Sequence, residues 1–131
     1  MALEWEPDPA TGLLFIRAIG KVAPSAYREL WDELIADPRI EPGPRILADF
    51  REVEVTQTGA GVRGVAATAK RFNDFMTGSR VAVVATQEAS FGLARMYTSL
   101  VEGLDIEVRV FRDYDEARAW ALEAPGRAVP R

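Results

Sequence analysis

The chain has 131 residues, of which 48% are hydrophobic and 27% are charged, and its formal net charge is -4 at pH 7. These values are typical of one soluble globular domain, and the acidic balance argues against a nucleic-acid partner. The chain contains neither cysteine nor histidine. It therefore lacks the residues for a disulfide framework, a thiolate nucleophile, a Ser-His-Asp triad and the commonest zinc sites. We predict no metal site and no cofactor.

The N-terminal stretch carries early acids and no apolar core of a signal peptide. No apolar run approaches the roughly 20 residues that a membrane span needs. We expect a cytoplasmic protein without a membrane span.

The first two predicted elements form an antiparallel hairpin. Residues 3–6 alternate apolar and acidic side chains, which is typical of an edge strand, and residues 13–19 form a second strand after turn-rich residues. A helix follows, with Ser25 as its predicted cap and apolar residues at three- and four-residue spacing. It ends near Asp37, because the residue before a proline avoids the helical region.

The middle of the chain predicts a strand, a long helix and a second strand. Residues 46–50 form the first strand, the helix runs from about Gly59 to Met76, and Gly78 ends it. Residues 80–86 contain an unbroken apolar run rich in valine, which predicts a strand covered by helices on both faces. We expect the fold to be organised around this strand.

The last elements are a helix from about Ser90 to Glu102, with Ser90 as its cap, and an alternating strand over residues 106–111 near the sheet edge. Asp113 and Glu116 have the spacing of a capping box that opens a final helix. The fold class is therefore α/β: one mixed, mostly parallel five-stranded sheet with four helices, in the order β-β-α-β-α-β-α-β-α. We expect a domain over residues 1–124 and a flexible tail over residues 125–131.

Several stretches resemble one family. The stretch from Ser90 to Tyr97 (SFGLARMY), residues 107–120, the N-terminal hairpin, the helix end at Asp37 and residues 45–51 (RILADFR) are similar to bacterial SpoIIAA-like proteins of the STAS superfamily. The resemblance implies a βα superhelix, a fold shared with CRAL-TRIO lipid-transfer domains. It implies a regulatory role and a protein partner more than an enzyme.

The resemblance also indicates a candidate site. Anti-sigma factor antagonists of this superfamily carry a phosphorylatable serine in an Asp-Ser-Ser-Gly-Leu-Gly stretch that opens the second helix. Residues 56–61 here read TQTGAG. Thr58 falls on the phosphorylated position, Gly59 and Gly61 match, and Thr56 replaces the aspartate. Arg63 is placed to add a charge contact to a phosphate at the helix terminus.

Three other interpretations of these residues stay open. Thr58 is also explained as a plain helix cap, with glycines that permit tight packing. Residues 59–64 have the spacing of a dinucleotide fingerprint, although the preceding strand ends too early for that role. The carboxylates of Asp49, Glu88 and Asp113 indicate acid-base or metal chemistry if they cluster at the strand ends.

A second candidate site is an apolar pocket between the sheet and the third helix, with Asp49, Phe91, Met96 and Tyr97 as its predicted residues. The sequence thus favours a non-enzymatic regulatory or protein-interaction module that is switched by phosphorylation at the N-terminus of the second helix. A homodimer is compatible with this interpretation. The alternative is a domain that binds or carries a lipid or a nucleotide-like small molecule.

Overall fold

The computed structural model describes residues 3–54 and 59–123. Five strands form one sheet: β1 (Leu3–Pro7), β2 (Leu13–Gly20), β3 (Arg45–Val53), β4 (Ser79–Val84) and β5 (Ile106–Phe111). The helices are α1 (Pro24–Ala36), α2 (Gly59–Arg71), α3 (Asn73–Met76), α4 (Glu88–Leu100) and α5 (Tyr114–Leu122). The predicted tail at residues 125–131 lies outside the described residues.

The strands follow one another in chain order across the sheet, from β1 to β5. β1 pairs antiparallel with β2, and every other neighbouring pair is parallel. The predicted hairpin and the mixed, mostly parallel sheet are confirmed. β4 lies between β3 and β5 with helices over both faces, as its apolar run predicts, but the middle position of the sheet belongs to β3.

The helices lie unequally on the two faces. Successive crossovers in one direction place α1 to α4 over one face, because such connections are right-handed. On that face, Leu30, Trp31 and Leu34 of α1 pack against apolar residues of β2, β3 and β4. Among the described helices, α5 alone covers the other face, where Ala117 and Ala121 pack against Leu13 and Leu47.

The predicted count of four helices is wrong, because the single helix expected over residues 59–76 is divided. Phe72 leaves the helical conformation at φ -102 and ψ 28, and α3 begins at the next residue. The break turns the chain so that Met76, 1% exposed, reaches the core. Gly78 then takes the positive φ of 83 that its predicted position as a terminator requires.

Two predicted helix caps are also wrong. Ala23 is the N-cap of α1 and Pro24 is its first residue, where a missing N–H costs nothing, so Ser25 lies inside the first turn. Gln87 is the N-cap of α4, and the hydroxyl of Ser90 donates to the Gln87 carbonyl at 3.0 Å. The third prediction is confirmed, because the carboxylate of Asp113 accepts from the Glu116 amide at 2.9 Å.

Two arginines of neighbouring strands hold the C-terminal end of α5. Arg45 and Arg80 are register partners on β3 and β4. Arg45 donates to the carbonyls of Ala121 and Leu122, and Arg80 donates to that of Trp120 at 2.9 Å. Arg80 is only 6% exposed although the sequence placed it at a polar strand end. These cations satisfy helix-terminal carbonyls and oppose the negative end of the helix dipole.

Candidate functional site

A cavity of about 150 Å³ lies between the sheet and the layer formed by α1, α2 and α4. Its walls come from β2, β3 and β4 below and from the helices above. Apart from Glu54 and Ser90, the described residues that line it are apolar or aromatic: Ile16, Val22, Tyr27, Leu30, Trp31, Ile46, Ala48, Phe50, Val53, Val62, Val65, Met76, Val81, Val83, Ala85, Leu93, Ala94 and Tyr97.

The residues of α2 that line this space are Val62 and Val65. The smaller buried residues of that helix, Ala66 and Ala69, pack with Val101 in a separate cluster. The α2 wall of the cavity therefore consists of branched apolar side chains.

The cavity reaches the surface at one end of the parallel strands. Among its described lining residues, Glu54 alone is exposed. Glu54 follows β3 directly and is the last described residue before α2 begins at Gly59. At the same rim, the side-chain amide of Gln87 donates to the Val53 carbonyl at 2.9 Å and joins the end of β3 to the start of α4. The opening therefore lies beside the N-terminus of α2.

Three hydroxyl groups bring polarity to the cavity walls, those of Tyr27, Ser90 and Tyr97. The Ser90 hydroxyl is committed to the Gln87 carbonyl. Tyr97 is different, because burial alone raises its pKa from 10.0 to about 12 and no hydrogen bond contributes. Within the described part of the chain, the Tyr97 hydroxyl has no hydrogen-bond partner.

The structure brings only one of the four predicted pocket residues to the cavity. Tyr97 lines it, whereas Asp49, Phe91 and Met96 do not. Side chains alternate along a strand, and Ala48 and Phe50 face the cavity, so Asp49 faces the side of the sheet that α5 covers. There it accepts two hydrogen bonds from the Arg51 side chain, at 2.9 and 2.8 Å.

The environment of Asp49 keeps it ionised. Burial opposes the charged form, but hydrogen bonds from the side chain and backbone of Arg51 outweigh it and lower the pKa of Asp49. The Arg51 guanidinium in turn stacks on the ring of Tyr114, 4.6 Å from its centroid. This carboxylate is thus a structural partner on the face opposite the cavity.

Phe91 and Met96 lie on the outer side of α4, next to cationic groups. The Arg112 guanidinium lies 3.9 Å from the centre of the Phe91 ring, and that of Arg95 lies 6.0 Å away. A Cβ placed on Gly59 would lie 3.4 Å from the methyl carbon of Met96. Met96 therefore contacts the start of α2 rather than the cavity.

The described part of α2 begins at Gly59, and Gly61 and Arg63 lie in its first turns. Thr56 and Thr58 lie outside the described residues. An Arg63 guanidinium nitrogen lies 3.6 Å from the position of a Cβ on Gly59. Arg63 and Met96 thus lie at the start of α2, and Arg95 and Arg112 lie beside Phe91 on α4; we call these five residues the basic surface.

The carboxylates do not form a catalytic or metal-binding cluster in the described ranges. Within residues 3–54 and 59–123, no group of three or more acidic side chains is placed to hold a metal ion. Glu88 pairs with Arg112 at 3.3 Å, and Asp113 caps α5. None of the described helices is both long and apolar enough to cross a membrane.

Sequence reasoning missed Glu54 at the opening and the cavity residues of α1 and α2. The apolar stripe of α2, which includes Val62 and Val65, was the available signal. It shows that the helix is buried, but it does not show how far the helix lies from the sheet.

Comparisons with known proteins agree with this geometry. Residues 13–122 match the model of the SpoIIAA-like family. An uncharacterized protein from the DUF3478 family with a SpoIIAA-like fold, from Shewanella loihica PV-4, aligns with a TM-score of 0.61 and 19% identity over 92% of each chain. An anti-sigma factor antagonist from Mycobacterium paratuberculosis aligns with a TM-score of 0.61 and 17% identity over 92% of this chain and 93% of that chain.

No curated protein matches the chain. At these identities the two structures show a shared fold, and the family match covers most of the described residues. Both the sequence match and the strand order lead to one assignment: the chain belongs to the SpoIIAA-like family.

Proposed function

We propose that this protein is a non-enzymatic regulatory module that binds a protein partner around residues 56–63, and that phosphorylation of Thr58 controls the binding. The observation that carries the proposal is the fold that the chain shares with an anti-sigma factor antagonist over nearly its whole length. The proposed site lies where the second helix begins.

The charge of the basic surface supports a partner with an acidic face. Arg63, Arg95 and Arg112 are exposed, and Glu88 is paired with Arg112. The first turn of α2 contains no acidic residue, so the positive end of its dipole adds to the local potential. This surface contrasts with the net charge of -4 of the whole chain.

Phosphorylation of Thr58 would act on this charge. A phosphate adds close to two negative charges beside the first turn of α2. It would offset the arginines and weaken the attraction for an acidic partner. The proposed switch therefore releases the partner when Thr58 is phosphorylated.

The test is a binding measurement with the purified partner, first captured by the tagged protein from its cells of origin. Thr58→Glu and Arg63→Glu are expected to weaken binding at least tenfold, whereas Thr58→Ala leaves it within threefold. Arg118→Glu, on α5 and on the opposite face of the sheet, is the matched charge reversal and should have no effect. An unchanged affinity for the partner in all variants at positions 58 and 63 would refute both the switch and the site.

The non-enzymatic character rests on the groups that are present. The chain has no histidine or cysteine, and the acids at the strand ends serve as salt-bridge partners or helix caps. Few side chains with pKa values near neutrality are left for acid-base work. A homodimer, a cytoplasmic location and the lack of a nucleic-acid partner stay predictions.

A further inference from the structure

We propose that the cavity is a binding site for a small neutral molecule, one ring in size, that carries a single group able to hydrogen-bond to the Tyr97 hydroxyl. Phenols and indoles are the ligand class. This inference goes beyond partner binding and does not depend on it.

The volume sets the size of the ligand. Apolar cavities of this volume accept benzene-sized molecules, whereas sites for drug-sized ligands are at least twice as large. At about 150 Å³ the cavity is too small for a lipid chain or a nucleotide. The ligand suggested by the likeness to lipid-transfer domains therefore does not fit this space.

The lining sets the charge of the ligand. No lysine or arginine is among the described residues that line the cavity, and at its opening the Lys21 ammonium already pairs with the Glu54 carboxylate at 3.9 Å. A buried carboxylate or phosphate without a cationic partner is strongly disfavoured. Fatty acids and aromatic acids are therefore disfavoured, and neutral molecules are favoured.

The Tyr97 hydroxyl sets the polar specificity. Tyr97 lines an apolar space and has no hydrogen-bond partner in the described ranges, and a hydroxyl held among apolar groups gains free energy when it finds one. Of the other wall hydroxyls, that of Ser90 already donates to the Gln87 carbonyl. The walls thus offer few polar partners, and a ligand with several polar groups would leave some of them unsatisfied.

The experiment is an NMR titration of the ¹⁵N-labelled protein with phenol, benzene and benzoate. The indole N–H signals of the tryptophans report binding. Trp31 lines the cavity, whereas Trp120 packs under α5 on the other face, so it serves as the internal reference. We expect phenol to shift the Trp31 signal and to bind severalfold more tightly than benzene. Benzoate should produce no shift at the same concentrations.

Two variants locate the site. Tyr97→Phe removes only the hydroxyl and should weaken phenol binding about fivefold to tenfold, to the affinity of benzene. The affinity for benzene itself should not change in this variant. Ala94→Leu fills the cavity and should abolish binding of both. Ala89→Leu makes the same change at an exposed position of α4 and should bind like the wild type.

Three outcomes would overturn the proposal: no Trp31 shift with phenol at millimolar concentration, equal binding of benzoate and phenol, or unchanged phenol affinity in Tyr97→Phe. If Ala94→Leu fails to fold, the comparison of wild type with Tyr97→Phe decides alone. Loss of partner binding in the Thr58 variants would leave each of these results unaffected.

Discussion

Tyr97 links the cavity to a measurable pH dependence. Its pKa is raised from 10.0 to about 12 by burial. Between these values the unfolded chain loses the phenolic proton while the folded chain keeps it, so the stability of the fold falls as the pH rises. Below pH 10 both states are protonated and the contribution is constant.

The expected loss of stability is about 2–3 kcal/mol between pH 10 and 12, at 1.36 kcal/mol for each pKa unit. Urea unfolding at several pH values measures it, and Tyr97→Phe should lack this part of the decline. Ultraviolet absorbance should show a late tyrosine ionisation in the wild type that is absent from the variant. A wild type whose tyrosines all ionise at the ordinary pKa would contradict the burial of Tyr97.

Arg80 supports the face opposite the cavity. Its side chain is 8% exposed, stacks 4.3 Å from the centre of the Trp120 ring and pairs with Glu107 and Glu123. Arg80→Met should lower the free energy of unfolding by about 2–3 kcal/mol, because the α5 carbonyl and the two acids lose their cation.

The matched control for Arg80 is Arg17→Met. Arg17 pairs with Glu52 at 2.7 Å, a shorter distance than those from Arg80 to its two acids, but the Arg17 side chain is 48% exposed. Solvent screening leaves such an exposed pair with little effect on stability. Chemical denaturation of both variants should rank them by burial, and equal losses would contradict the role given to Arg80.

Local residue roles were predictable only where their partners are near in sequence. The Asp113 cap depends on an amide three residues later, and that spacing is visible in the chain. Asp49 needed knowledge of which sheet face carries α5, and Arg80 needed the position of a helix some forty residues away. The buried side of a residue follows from the assembled sheet, so it could not be inferred from the strand alone.

At the scale of elements, the two predicted helix caps provide a direct comparison. Asp113→Ala removes a formed cap and should destabilise the protein by about 1 kcal/mol. Ser25→Ala should be neutral or slightly stabilising, because Ser25 lies within α1 and alanine has the higher helix propensity. Thermal unfolding measures both. A larger loss for Ser25→Ala would show that α1 begins two residues later than the structure places it.

α2 is the element whose role the sequence described least. Its period predicts a buried stripe, and that stripe is present. The same pattern suits a helix pressed on the sheet or one that stands over a cavity. The difference depends on the bulk of neighbouring side chains on α1 and α4, which the pattern of α2 does not contain.

At the scale of the molecule, the two sheet faces differ in packing. α5 lies close to β3, β4 and β5 through Ala117 and Ala121, which are fully buried, and is tied by two arginines. The opposite face holds the cavity, its opening and the basic surface. The class of fold and the element order followed from the sequence, whereas this asymmetry appeared only once the helices were placed on the sheet.

Because of this asymmetry, we expect the partner to bind on the face of the sheet that α2 covers. Ala60 is exposed in the first turn of α2, and Ala119 is exposed on α5. The two positions are matched in residue type, helical setting and exposure, but they lie on opposite faces of the sheet. A photoreactive residue at either position should leave the fold intact and report which face the partner contacts.

Photocrosslinking in the cells of origin is therefore the most direct test that the α2 side is the regulatory surface. The proposed site predicts one crosslinked partner from position 60 and none from position 119, with the adduct lost when Arg63→Glu is added. Crosslinking from position 119 alone, or equally from both positions, would contradict it.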